Sequence, residues 1–130
     1  MYTVMIADKA ELTESIIKAE FSAATPPGSE ARSSSIGATL TIDGKVPYDA
    51  EKGYIKDAVK DIAMWSMVKP DSVDAYKKVT VTIDHTGETR IYELSHAFVV
   101  SFSEYFEDQN GYFRLVVRQK KDRLDGVTVS

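Results

Sequence analysis

A mainly β fold, a two-sheet β-barrel or sandwich of antiparallel strands with one flanking α-helix, is what this sequence predicts. Three observations carry the prediction. About six or seven segments alternate apolar and polar residues with the period of a half-buried strand. Only one stretch, 53–68, changes to three- and four-residue spacing. The run from Thr89 to Asp122 reads as two long strands joined by an acidic turn of Glu107, Asp108, Gln109, Asn110 and Gly111. Closing the sheet into a barrel, or packing two sheets and capping them with the helix, removes free edges. Alternation alone does not choose between the two.

In chain order, Tyr2, Val4 and Ile6 alternate with Thr3, Met5 and Ala7, and Asp8-Lys9-Ala10-Glu11 supplies a turn. Over 15–24, Ile17, Ala19, Phe21 and Ala23 share one face against Ile16, Lys18, Glu20 and Ser22. Residues 25–36, with two prolines and four serines, form a long loop. Strand character returns over 37–46, where Ala38, Leu40 and Ile42 alternate with Thr39, Thr41 and Asp43. In 53–68 the residues Ile55, Ala58, Val59, Ile62, Ala63 and Trp65 make the stripe of an amphipathic helix. Asp49, Ala50 and Glu51 place negative charge ahead of its start, and Lys69-Pro70 stops it. After a turn-rich connection over 71–76, Val79, Val81 and Ile83 point inward from a strand over 78–84, and His85-Thr86-Gly87-Glu88 turns the chain back. In the final hairpin Phe98, Val100 and Phe102 share one face of the first arm, with Val99, Ser101 and Ser103 on the other. In the second arm Phe113, Leu115 and Val117 oppose Arg114, Val116 and Arg118.

A length of 130 residues fits one domain, 1–130, with a core of its own. The chain has no cysteine, which excludes disulfides, thiolate metal sites and cysteine nucleophiles. The first residues lack a basic stretch followed by an apolar run, and no segment approaches the ~20 apolar residues of a spanning helix. The expectation is a soluble protein, cytoplasmic as synthesised, with no membrane insertion. A formal charge of −4 argues against nucleic-acid binding. Arg114, Arg118, Lys120, Lys121 and Arg123 nonetheless gather towards the end of the second arm. They read either as a solvated strand end or as a contact for the Glu104, Glu107 and Asp108 turn of a neighbouring copy.

Reactive chemistry is sparse. His85 and His96 have no metal-ligand spacing; His96, at a strand entry, reads as a hydrogen-bonded structural residue and His85 as an exposed turn residue. Ser33, Ser34 and Ser35 lie in a loop without an adjacent base, and Gly44 and Gly53 lack the continuation of a phosphate loop. Glu104, Glu107 and Asp108 lack the pattern of a dedicated calcium loop. Tyr54, Met64, Trp65 and Met67 read as packed core. The expectation is no catalytic residue, no metal, no cofactor and no enzyme.

The runs ARSSSIGATLTIDGKV, DIAMWSMV, DAYKKVTVTI and AFVVSFSEYFEDQNGYFRLVVRQKKD, spread over Ala31 to Asp122, resemble clostridial and related Gram-positive proteins labelled membrane-associated protease. More distantly they are similar to the haemolysin-coregulated, tube-forming proteins of type VI secretion and to phage tail-tube proteins. The resemblance implies a β-barrel with a flanking helix that assembles as a ring, usually a hexamer, and stacks into a tube. The implied function is a structural subunit of a phage-tail-like or type VI-like injection system, partnered by copies of itself and by other proteins of the apparatus, with export, where it occurs, as part of an assembled particle. The residues give the protease label no support. Pro26, Pro27, Gly28 and Arg32 in the loop, with Glu107, Asp108, Arg118 and Lys120 at opposite ends of the hairpin, are the expected self-association residues. Hairpin arms of about 14 residues, roughly 45 Å if unbent, are expected to reach past their own body, and Thr39, Thr41 and Asp43 to line a wet lumen. The alternative is a binding or adaptor module that carries an effector on such an apparatus.

Overall fold

The computed structural model describes residues 1–8, 10–13, 16–25, 37–46, 48–49, 54–55, 57–108 and 110–130. The strands are β1 (Tyr2–Ile6), β2 (Ala10–Leu12), β3 (Ile16–Ala24), β4 (Gly37–Lys45), β5 (Tyr48–Asp49), β6 (Tyr54–Ile55), β7 (Lys77–His85), β8 (Glu88–Glu107), β9 (Asn110–Gln119) and β10 (Val127–Val129). Helix α1 (Asp57–Ser66) stands between β6 and β7. Short 3₁₀ segments occupy Val73–Ala75 and Lys121–Gly126. Eight strands form one antiparallel sheet in the order β2-β1-β7-β8-β9-β4-β3, with β10 also paired to β8; β5 and β6 pair only with each other.

Strand β8 is the spine of this sheet. Its first half pairs with β7, from Glu88 opposite His85 to Ala97 opposite Lys77, and its second half pairs with β9, from Ala97 opposite Gln119 to Glu107 opposite Asn110. Near the crossover β8 carries two bulges. Ser95 and His96 together oppose the single residue Lys78, and Val100 is the extra residue between Val99, opposite Val117, and Ser101, opposite Val116. An extra residue on one strand bends it and tightens its twist, so the two halves of the sheet fold towards one another across a shared core. The ring of Phe21 on β3 stacks on Tyr92 in the first half of β8, with centroids 4.7 Å apart, and β3 comes back against β1. Strands β2 and β3, at the ends of the hydrogen-bonded order, do not pair, so the sheet is curled but open.

Regular alternation supplies most of the core. Val4 on β1, Ala38, Leu40 and Ile42 on β4, Val79 and Val81 on β7, and Phe113, Leu115 and Val117 on β9 are all buried. Register aligns them in rows, for example Val4 with Val81, and Ile42 with Leu115. Where β8 is bulged the inward residues are instead Leu94, Ala97, Val99 and Phe102. The expected face of Phe98, Val100 and Phe102 is therefore broken: Val100 is exposed and Phe98 packs edge-on against Tyr76 on the opposite side from Phe102. A third bulge between Ile16 and Lys18 turns Ile17 outward and leaves Ile16 against the core, the reverse of simple alternation.

The helix is shorter than its apolar stripe suggests, because Tyr54 and Ile55 are drawn into a two-residue ladder with Asp49 and Tyr48. Asp49 thus belongs to a strand and not to a helix entry. Val59, Ile62 and Trp65 bury the helical face, and the Trp65 indole N–H donates to the Ala75 carbonyl at 3.0 Å. Met64 and Met67 are exposed, contrary to their expected place in the core. At the C-terminus the Ser66 hydroxyl donates to the Ala63 carbonyl at 2.6 Å, and the Met67 and Val68 N–H groups close tighter turns onto Met64 and Trp65 before Pro70.

Two turns also differ from expectation or refine it. The first lies at Ala7 and Asp8, both with positive φ, so Ala10 and Glu11 run back along β1 as β2 and are not turn residues. The β7–β8 loop is Thr86-Gly87, with φ of 51° and 84°, the two-residue turn whose backbone matches strand twist and favours glycine. The loop expected at 25–36 lies outside the described residues, apart from Thr25.

Leu115 sits at the centre of the shared core with no exposure. Leu115→Ala is expected to lower stability by about 2–5 kcal/mol, whereas Val100→Ala, at an exposed bulge, is expected to stay within about 0.5 kcal/mol. Urea unfolding of the two variants reads the contrast.

Candidate functional site

The second half of β8, with β9, β4 and β3, makes a four-stranded layer whose outer face is largely polar. Register places Ser101, Ser103 and Tyr105 beside Val116, Arg114 and Tyr112, then Thr41, Asp43 and Lys45, then Glu20 and Lys18. The Arg114 guanidinium grips the Asp43 carboxylate with both prongs: Nε donates to Oδ1 at 2.7 Å and Nη2 to Oδ2 at 3.2 Å. Hydrogen bonding to Asp43, and then its charge, raise the Arg114 pKa above its ordinary value, so this cation keeps its proton at any ordinary pH. Arg118 Nε donates to the Thr39 hydroxyl at 3.3 Å. One row from the Asp43–Arg114 fork, the rings of Tyr105 and Tyr112 stack with centroids 5.2 Å apart. Between this pair and the outturned Ile17 lies a groove of about 450 Å³, floored by Asp43, Arg114 and Ser103.

Both long edges of the layer lack a backbone partner among the described residues. On one side it is the β8 edge beyond Ala97, where β7 has ended; on the other it is β3. Val100, Tyr105 and Phe106 expose apolar surface along or near the first edge. Unpaired strand edges are templates for pairing with another chain.

The expected interface residues distribute unevenly. Glu107 and Asp108 are exposed at the β8–β9 turn, where Asp108 takes a positive φ of 50° and the Asn110 side chain donates to its carbonyl at 3.2 Å. Arg118 and Lys120 lie at the far end of β9 but are engaged within the chain. Arg118 holds Thr39, and the Lys120 ammonium sits 5.2 Å from the Tyr76 ring centroid and 3.6 Å from Asp122. Pro26, Pro27, Gly28 and Arg32 lie outside the described residues. Arg114 does not join a basic strand end, because it is mid-strand and paired. The hairpin is not a free arm either: β4 accompanies β9 as far as Tyr112, and Val46 N–H donates to the Gly111 carbonyl at 2.9 Å, so only the tip extends further.

His96 belongs to a polar network at the first bulge of β8. Its Nδ1 lies 2.8 Å from Ser95 Oγ, and its backbone N–H donates to Gln119 Oε1 at 2.9 Å. Buried Gln119 uses its amide nitrogen to reach Ser95 Oγ at 3.0 Å and the Arg123 carbonyl at 2.6 Å. The Ser95 hydroxyl is covered by Gly126, whose position leaves no room for a Cβ against it. The network fills the irregular backbone of the bulge and pins the 3₁₀ segment that leads into β10. His85 is exposed at the end of β7. Among the described residues no three histidine, aspartate or glutamate side chains converge as a metal site.

Sequence reasoning missed Asp43 with Arg114 and Gln119 with Ser95. The signal available was a charged residue of opposite sign on each of two predicted strands, without a register to join them. No protein-family model matches the chain, and no curated protein matches it. No helix among the described residues is long and apolar enough to cross a membrane.

Gln119→Ala leaves the His96 N–H and the Arg123 carbonyl without their partner. Stability is expected to fall by about 1–3 kcal/mol, with hydrogen exchange accelerated first at the amides of β10. Exchange mass spectrometry checks this against chemical unfolding.

Proposed function

We propose that this protein is a structural subunit that self-associates edge to edge, building a ring or tube of the phage-tail-like or type VI-like kind. The observation that carries the reading is the four-stranded layer whose two edges, β8 beyond Ala97 and β3, have no backbone partner among the described residues. Joining the β8 edge of one copy to the β3 edge of the next is a heterologous contact. Repeated with a fixed rotation, such a contact closes into a ring or opens into a helix.

The side chains support that use. Thr39, Thr41, Asp43, Arg114, Ser101 and Ser103 give the layer an outer face suited to a wet lumen, while the inner face is the apolar core. In such an assembly the layers of successive copies merge into one continuous wall, which closes a barrel between subunits that a single chain leaves open. The acidic tip at Glu107 and Asp108 then meets the adjoining ring. Charge opposite it comes from Lys121 and Arg123, which are exposed near the other end of β9.

Mass photometry and negative-stain imaging over a rising concentration series test the reading. Annular particles are expected for the native chain. They are expected to disappear in Val100→Lys, which puts a charge on the exposed bulge of β8, with thermal unfolding unchanged. A native chain that stays monomeric throughout, with no annular particle, overturns the proposal and favours the adaptor alternative.

A further inference from the structure

We propose that the groove on the outer face of the four-stranded layer is a binding site for a neutral saccharide. It rests on the geometry of one chain and is independent of assembly.

The site has two rows. Tyr112 and Tyr105 form an aromatic row; Arg114 and Ser103, two residues away on the same strands, form with Asp43 a polar row about 7 Å distant. That spacing leaves room for one sugar ring to touch both rows at once. The stacked tyrosines offer an apolar face for the C–H side of the sugar, with phenol hydroxyls at their rim. Tyr105 is 58% exposed, so the platform is open to a ligand. Ile17, everted by the β3 bulge, forms the opposite wall, and the volume of about 450 Å³ admits one or two sugar rings.

The polar row decides the ligand's charge. Asp43 and Arg114 neutralise each other, and Lys18 pairs with Glu20 at 3.7 Å, so the floor itself offers no net charge to a phosphate or a carboxylate, and Lys45 beside Tyr112 adds one cation at the rim. The fork still leaves hydrogen-bonding capacity: Arg114 keeps its Nη1 donors, each Asp43 oxygen keeps a lone pair, and Ser103 adds a hydroxyl. Donors and acceptors side by side, already immobilised by their mutual bond, match vicinal hydroxyls, each of which both gives and takes a hydrogen bond. A strand-like peptide needs a backbone edge, and this groove lies across the face of the sheet.

Saturation-transfer NMR on the native chain, with chitotriose and maltotriose as neutral probes, is the test, and it reads single chains and large particles alike. Transfer to the sugar C–H protons of at least one probe is expected, with a dissociation constant on the order of 1 mM. Tyr105→Ala is expected to weaken binding about tenfold or more and Tyr105→Phe to retain most of it, circular dichroism being checked for both. Arg114→Ala, which leaves the Asp43 charge on the floor, is expected to weaken it as well. Absence of transfer to both trisaccharides overturns the proposal. So does transfer that both Tyr105 variants leave untouched, or a preference for inorganic phosphate, read by ³¹P line broadening.

Discussion

The course of β8 is the constraint on which the rest of the structure depends. A single strand of 20 residues serves two sets of partners, β7 with β10 over its first half and β9 over its second. Such a strand must bend to let both halves face one core, and the bulges at Ser95-His96 and Val100 provide the bend. Irregular backbone at the first of these would bury polar groups at a cost. The Gln119 side chain meets that need, accepting from His96 N–H and donating to Ser95 and to the Arg123 carbonyl. The polar residue most deeply buried among those described is thus the one that secures the bend.

Because the sheet folds over at β8, its faces acquire different characters. The inner face is apolar from Val4 through Leu40 to Val117, and the outer face of the four-stranded layer carries hydroxyls and paired charges. A charge pair such as Asp43 with Arg114 adds little stability at a solvated surface. Its effect is to fix the two side chains and cancel their charge at the middle of the face. The edges on either side, β8 beyond Ala97 and β3, have no backbone partner among the described residues, and β3 carries Lys18 and Glu20, charge of the kind that natural sheets use to guard such edges.

Much of this was legible in the sequence wherever pairing is regular. Ala38, Leu40 and Ile42, like Phe113, Leu115 and Val117, keep strict alternation and occupy the inner face as their spacing implies. Alternation fails at Ile17 and Val100 for one reason: a bulge inserts a residue without any local side-chain signature, and every residue beyond it changes face. The helix was legible as an element but not in its limits, since Tyr54 and Ile55 favour a ladder as readily as a turn of helix. Met64 and Met67 lie on the solvent side of a stripe that Val59, Ile62 and Trp65 define. Asp43 and Arg114 are 71 positions apart, and only the β4–β9 register reveals them as a pair. The groove beside them depends on that register and on the eversion of Ile17 together.

The meander β7–β8–β9 is contiguous in sequence, whereas β1 and β4 join it from far away along the chain. Closing those long loops before their contacts reward the closure is entropically costly, whereas the pairings within the meander close only short loops. During synthesis β1 can meet β7, and β3 can meet β4, before β9 exists, whereas the second edge of β4 stays without its native neighbour until β9 has been made.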